Sequence, residues 1–150
     1  MAYRIFHDIL KPIKLNNPDH AHLDLASNWF TRVQWSTEAW RRIGFFIGHN
    51  DHIEELYLEE CPLTTTKLEA LFEGLKHNAS LKKLRLGNNV GVGAAEMIPL
   101  LTSYLQCNTS LEELRLCNIN LNAHLLRDLA NALRTRSSED IGPQFQHNWE

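Results

Sequence analysis

Ile53-Glu54-Glu55-Leu56-Tyr57-Leu58-Glu59-Glu60-Cys61 and Leu81-Lys82-Lys83-Leu84-Arg85-Leu86-Gly87-Asn88-Asn89 are one unit of sequence written twice. Both follow L-x-x-L-x-L-x-x-N/C, and the second opens 28 positions after the first. A third copy of the opening stands at Leu111, Leu114 and Leu116, 30 positions further on. Self-similarity at such a period marks a stacked repeat architecture, in which each unit buries its apolar face only against its neighbours.

Working outward, a disguised copy precedes these three. Leu23, Leu25 and Asn28 fall where Leu84, Leu86 and Asn89 fall later, with His20 in place of the opening leucine. Each copy then carries a helical triplet at spacings of 3 and 4: Trp40/Ile43/Ile47, Leu68/Leu71/Leu75, Ile98/Leu101/Leu105 and Leu126/Leu129/Leu133. That spacing puts each triplet on one helical face. The strand-to-helix distance is longest in the first copy, which locates an insertion within Thr31–Thr37; insertions in stacked repeats emerge on one rim, often the binding side.

The predicted organisation is a helical cap over residues 1–19, four repeats (20–52, 53–80, 81–110, 111–136) and a tail or partial cap over 137–150. Ile5, Phe6, Ile9 and Leu10 give the cap a one-sided apolar spacing, and Pro12 is expected to stop its helix. Thr66 with Glu69 reads as a capping box opening the second repeat's helix. Pro99 predicts a bend or a late start in the third. Asn50, Asn78 and Asn108 each stand just before a repeat, which suggests a left-handed helix stop. The same reading treats the glycosylation patterns at Asn78 and Asn108 as architecture. The last repeat's strand would be an open edge. Either the tail folds back on it or the chain self-associates there.

These residues carry a resemblance. From about His20 to Arg136 the chain resembles the ribonuclease-inhibitor-like leucine-rich-repeat family. The resemblance implies an α/β leucine-rich-repeat solenoid, a short horseshoe with parallel strands on the concave face and helices on the convex face. It also implies protein binding through the concave face and rims. Ile119 departs from the pattern, since it occupies the Asn/Cys slot without a polar group; a register slip would let Asn118 substitute.

Composition narrows the classes. The net charge of −3 argues against a general nucleic-acid binder. No apolar run is long enough to span a bilayer, so no membrane partner is expected. Three cysteines, Cys61, Cys107 and Cys117, leave one unpaired in any scheme and read as reduced thiols in a cytoplasmic protein. Gly91-Val92-Gly93-Ala94-Ala95-Glu96 puts a carboxylate where a dinucleotide fingerprint needs glycine. His20, His22, His49 and His52 are the one metal-like grouping. His20 takes a core position and no cysteine is near, so they read as polar capping of the first copy. No nucleophile stands beside a base. No enzyme, cofactor or metal is expected.

The expected function is therefore a non-enzymatic interaction module, a small scaffold or adaptor. The alternative is a regulator of an enzyme, such as a small-GTPase activator-like or inhibitor-like repeat protein. In register, the outward second and third positions read Ala21/Glu54/Lys82/Glu112 and His22/Glu55/Lys83/Glu113 and alternate in charge. The fifth reads Asp24/Tyr57/Arg85/Arg115 and ends on two adjacent arginines. Tyr and Arg are enriched at interface hot spots. Tyr57, Arg85 and Arg115, flanked by Trp29 and Trp35 on the first-copy rim, are the candidate patch, with an acidic protein segment as partner. The competing reading is an internally satisfied network with Glu59 and Glu113.

Overall fold

The computed structural model describes residues 2–26, 33–89, 91–135 and 144–148. Strands and helices alternate along them: α1 (Ala2–Lys14), β1 (His22–Asp24), α2 (Thr37–Gly48), β2 (Glu55–Tyr57), α3 (Thr65–Leu75), β3 (Lys83–Gly87), α4 (Ala94–Cys107), β4 (Glu113–Cys117), α5 (Ala123–Arg134) and β5 (Gln144–Asn148). The strands form one sheet in chain order, and every pairing is parallel. This is the leucine-rich-repeat solenoid. Leu23, Leu56, Leu84 and Leu114 are aligned across the sheet, and the last three are fully buried. Opposite them lie the helix triplets, fully or almost fully buried in α2, α3 and α4. Only the last triplet is incompletely covered: Leu129 is buried, Leu126 and Leu133 partly so.

Helix starts follow local chemistry. The Ser36, Thr64 and Asn122 side chains accept from the backbone N–H of Ala39, Lys67 and Leu125 and cap α2, α3 and α5. The cap expected at Thr66 thus lies two residues earlier. Thr64 is held extended by a bridge to Gly91, whose missing side chain permits the approach, since a Cβ there would meet Leu63 O at 2.2 Å. Lys67 then takes the position where a capping box needs a carboxylate.

Pro12 does not stop its helix, and Pro99 does not delay the start of its own. α1 runs through Pro12 to Lys14, and α4 begins at Ala94 and runs through Pro99. The carbonyls that the prolines leave without an i+4 donor belong to Asp8 and Ala95, both exposed residues, where solvent can replace the lost bond. Burial of Ile13 and the Asn50 side chain donating to Ile13 O at 3.1 Å hold the last turn of α1.

The pre-repeat asparagines are not left-handed stops. Asn50, Asn78 and Asn108 are buried and form a ladder. Asn78 Nδ2 donates to Ile47 O (2.7 Å) and Asn50 O (2.9 Å) of the preceding repeat. Its Oδ1 accepts from Ser80 N (2.9 Å) and Leu81 N (2.7 Å) of its own. Asn108 repeats the arrangement with Asn78 O, Ser110 N and Leu111 N. A buried amide with both donors and acceptors used ties one turn to the next, and it leaves no amide free for a glycan. The left-handed column sits elsewhere, at Glu60, Asn88 and Asn118.

A second ladder runs through the Asn/Cys slot. Cys61 Sγ donates to Leu25 O at 3.0 Å, and Asn89 Nδ2 donates to Leu58 O at 2.8 Å and Cys61 O at 3.1 Å. In the fourth repeat no register slip occurs. Ile119 stays in the slot as a core residue, and Asn118 remains outside, its amide donating to the Asn88 side chain.

Two further features bound the site. Gly44 and Gly74 bring α2 and α3 into backbone contact, because a Cβ on Gly74 would lie 2.2 Å from the Gly44 carbonyl carbon. At the far end β5 pairs with β4 along its whole length, Glu113 opposite Gln144 through Cys117 opposite Asn148. The edge that β4 would otherwise present is occupied by the chain's own tail.

Candidate functional site

The outward side chains of β1 to β4 stand in the columns that the repeat spacing implies. His22, Glu55, Lys83 and Glu113 are register partners, and so are Asp24, Tyr57, Arg85 and Arg115.

Glu55 is the hub of the first column. It shares a hydrogen bond with His22 Nδ1 at 2.9 Å, accepts one from the Tyr57 hydroxyl at 3.0 Å and pairs with Lys83 Nζ at 3.3 Å. The His22 hydrogen bond, then those of Tyr57 and Lys83, hold its carboxyl below the usual value against the opposing effect of burial. Lys83 is pushed up by the same carboxylate, and the Tyr57 phenol is raised by burial and by Glu55. The neighbouring column is also paired, with Lys82 Nζ 3.4 Å from Glu54.

The fifth-position column differs. The Arg85 guanidinium lies 4.1 Å over the Tyr57 ring, while His22 meets the same ring edge-on with centroids 4.4 Å apart. Glu55 therefore fixes the phenol, and the phenol fixes the arginine. Arg85 Nε is buried without a hydrogen-bond acceptor, and Arg85 is in no carboxylate ion pair among the described residues. Arg115, its register partner, sits 3.7 Å from Glu113. Beyond them, Gly87 has no side chain, and a Cβ there would strike Cys117 O at 2.1 Å. Across that gap Cys117 Sγ donates to Glu59 at 3.3 Å. Burial and Glu59 raise this thiol, and burial pushes Cys61 up to about 12. Both thiols are held protonated.

Tyr57, Arg85 and Arg115 are thus neighbours on one face. Trp35 is not with them: it is 5% exposed, and its ring packs against Phe6 of α1 at 5.3 Å, which makes it a core residue beside α1. Trp29 lies outside the described residues. The sequence reading passed over the part played by His22 and Glu55, whose adjacency in the third-position column was the available signal. Of the metal-like histidines, His22 is engaged by Glu55, and His49 Nδ1 lies 2.9 Å from Phe45 O. Among the described residues no three His, Cys, Asp or Glu side chains converge as a metal site would require. At the start of α4, a Cβ on Gly93 would lie 2.7 Å from the Glu96 carboxylate, which folds over the turn where a dinucleotide phosphate would sit.

No protein-family model matches the sequence, and no curated protein does. Solved structures do match. One is the leiomodin-1 actin-binding site 2, at TM-score 0.77 and 19% identity over 97% of this chain and 80% of that one. Another is the tropomodulin C-terminal domain of Caenorhabditis elegans, at TM-score 0.74 and 18% identity over 96% and 83%. The fold is the one seen in leiomodin and tropomodulin. This corrects the resemblance to the ribonuclease-inhibitor-like family. The repeat pattern specifies the solenoid, which those two domains share, and the structural likeness points to them instead.

Proposed function

We propose that this chain is a non-enzymatic protein-interaction module that receives an acidic segment of its partner on the concave face, at Tyr57, Arg85 and Arg115. The observation that carries the reading is the Arg85 guanidinium stacked at 4.1 Å on Tyr57, with no carboxylate of its own among the described residues. A cation held in place before binding loses little side-chain freedom on binding, and a guanidinium pairs best with a carboxylate. Three free cysteines accord with an intracellular setting as part of the same proposal.

The likeness to the leiomodin-1 actin-binding site 2 makes actin the first partner to assay. The test is co-sedimentation with actin filaments and capture of monomeric actin, with pull-down from native extract beside them. Wild type and the folded Tyr57→Ala/Arg85→Ala variant are compared. Loss of capture in the variant supports the site, and equal capture by both places it elsewhere. Failure of the wild type to retain any protein overturns the binding reading itself.

A further inference from the structure

The molecule's charge is unevenly divided. α1 and α2 together carry Arg4, Lys11, Lys14, Arg41 and Arg42 against Asp8 and Glu38, a net +3 within a chain of net −3. The remaining residues therefore carry −6. Arg41 is engaged by Glu38 at 2.7 Å and Glu73 at 3.3 Å. Arg4, Lys11, Lys14 and Arg42 are exposed, and none has a carboxylate partner among the described residues.

Among the described residues the large apolar side chains that project into solvent are Phe45 of α2, at 51% exposure, and Leu15 in the turn that follows α1, at 69%. Their placement follows from helical geometry. α1 buries Phe6, Leu10 and Ile13, and α2 buries Trp40, Ile43 and Ile47. Phe45 stands two positions from both Ile43 and Ile47, on the opposite side of α2, and Leu15 follows the last residue of α1 with its N–H bonded to Lys11 O at 3.0 Å. Arg42 lies 5.6 Å over the Phe6 ring and Lys14 lies 4.8 Å over Phe46, so α1 runs beside α2 in the same direction. Their outer faces form one platform. Phe45 is braced by Phe46 (centroids 5.3 Å) and His49 (4.4 Å).

From this we infer that the outer face of α1 and α2 docks on an anionic bilayer surface, a second surface independent of the concave face. Apolar side chains that protrude on a pair of helices with exposed cations suit the boundary between headgroups and acyl chains. Anionic headgroups supply the charge complement that the platform lacks. The acidic repeats, repelled by the same surface, orient the domain with its helical cap toward the lipid. No helix among the described residues is long and apolar enough to cross a membrane, so the contact is peripheral.

The experiment is vesicle co-sedimentation of the full chain with equimolar phosphatidylserine and phosphatidylcholine, and with phosphatidylcholine alone. Wild type should partition onto the anionic vesicles only, and partition should fall as salt rises. Lys11→Glu/Lys14→Glu/Arg42→Glu should lower partition by at least about tenfold. Leu15→Ser/Phe45→Ser should lower it at constant charge. Both are checked for folding by thermal melting, and Tyr57→Ala/Arg85→Ala should bind vesicles as wild type does. No partition of wild type, or undiminished partition of a folded charge-reversed variant, overturns the proposal. Retention of wild type on polyglutamate without partition onto vesicles also overturns it, and assigns the platform to an acidic protein.

Discussion

Two columns of side chains run along the repeats, and the same repeat pattern produces both. At the turns before the strands, Asn50, Asn78 and Asn108 are buried, and each amide is used on both sides. On the open face of the sheet, Asp24, Tyr57, Arg85 and Arg115 are half-buried or exposed, and the column ends on like charges. Repetition with full satisfaction makes a structural rivet. A column in which Arg85 has no carboxylate among the described residues leaves a group available to something else. If this division is right, substitutions in the first column should cost stability, and those in the second should cost binding at nearly constant stability.

The largest effect is expected at Asn78. Removing its amide in Asn78→Ala strips partners from Ile47 O, Asn50 O, Ser80 N and Leu81 N within the core. A buried group left unsatisfied costs about 1–3 kcal/mol. A loss of about 4 kcal/mol in urea denaturation is therefore expected, enough to unfold a marginal domain. Next comes Gly74→Ala. Its new Cβ would meet the backbone of Gly44, so α2 and α3 must separate. The overpacking penalty exceeds the helix-propensity gain of alanine, for a net loss of about 2 kcal/mol. The corresponding seam between α3 and α4 is filled by the Phe72 and Tyr104 rings, 5.3 Å apart, and no glycine contact constrains it.

The concave columns should respond weakly. Tyr57→Ala with Arg85→Ala removes a partly exposed cation–π contact, the Tyr57–Glu55 hydrogen bond and the His22 ring contact, and a loss of about 1–2 kcal/mol is expected in the same denaturation experiment. Glu55 gives a pH signature. Its carboxyl is held below the ordinary 4.5, so the stability it contributes is present above that value. That stability is lost as pH falls through the depressed native value. Glu55→Gln should therefore lower stability at neutral pH and flatten the acid limb of the melting-temperature profile. An acid limb identical to wild type would contradict the hub role. The smallest effect belongs to the exposed Lys82–Glu54 pair, where Lys82→Ala should change stability by no more than about 0.5 kcal/mol.

Much of this was legible because inward side chains obey sharp spacing rules. The four helical triplets and the strand leucines set the register, and with it which residues neighbour Tyr57 and Arg85. The asparagines were misread because their chemistry is permissive: the residue that suits a left-handed stop is also a compact two-sided hydrogen-bonding group. The true left-handed column includes Glu60, which propensity does not favour. Trp35 looked like a rim residue because its burial depends on Phe6, far away in sequence. β5 was invisible because Gln144–Asn148 shows no apolar alternation, and a parallel strand is specified by its neighbour. The likeness to the leiomodin and tropomodulin domains could not be read from the repeats, since at 19% and 18% identity it lies in the fold.

The most direct test of the central claim measures one variant in two ways. Tyr57→Ala/Arg85→Ala is compared with wild type for thermal midpoint and for affinity toward the protein that the wild-type chain captures from native extract. The account predicts a midpoint close to wild type and a loss of affinity of at least about tenfold, as hot-spot residues show. A folded variant whose affinity stays within about a factor of two of wild type would contradict it, and would reduce the fifth-position column to a surface network.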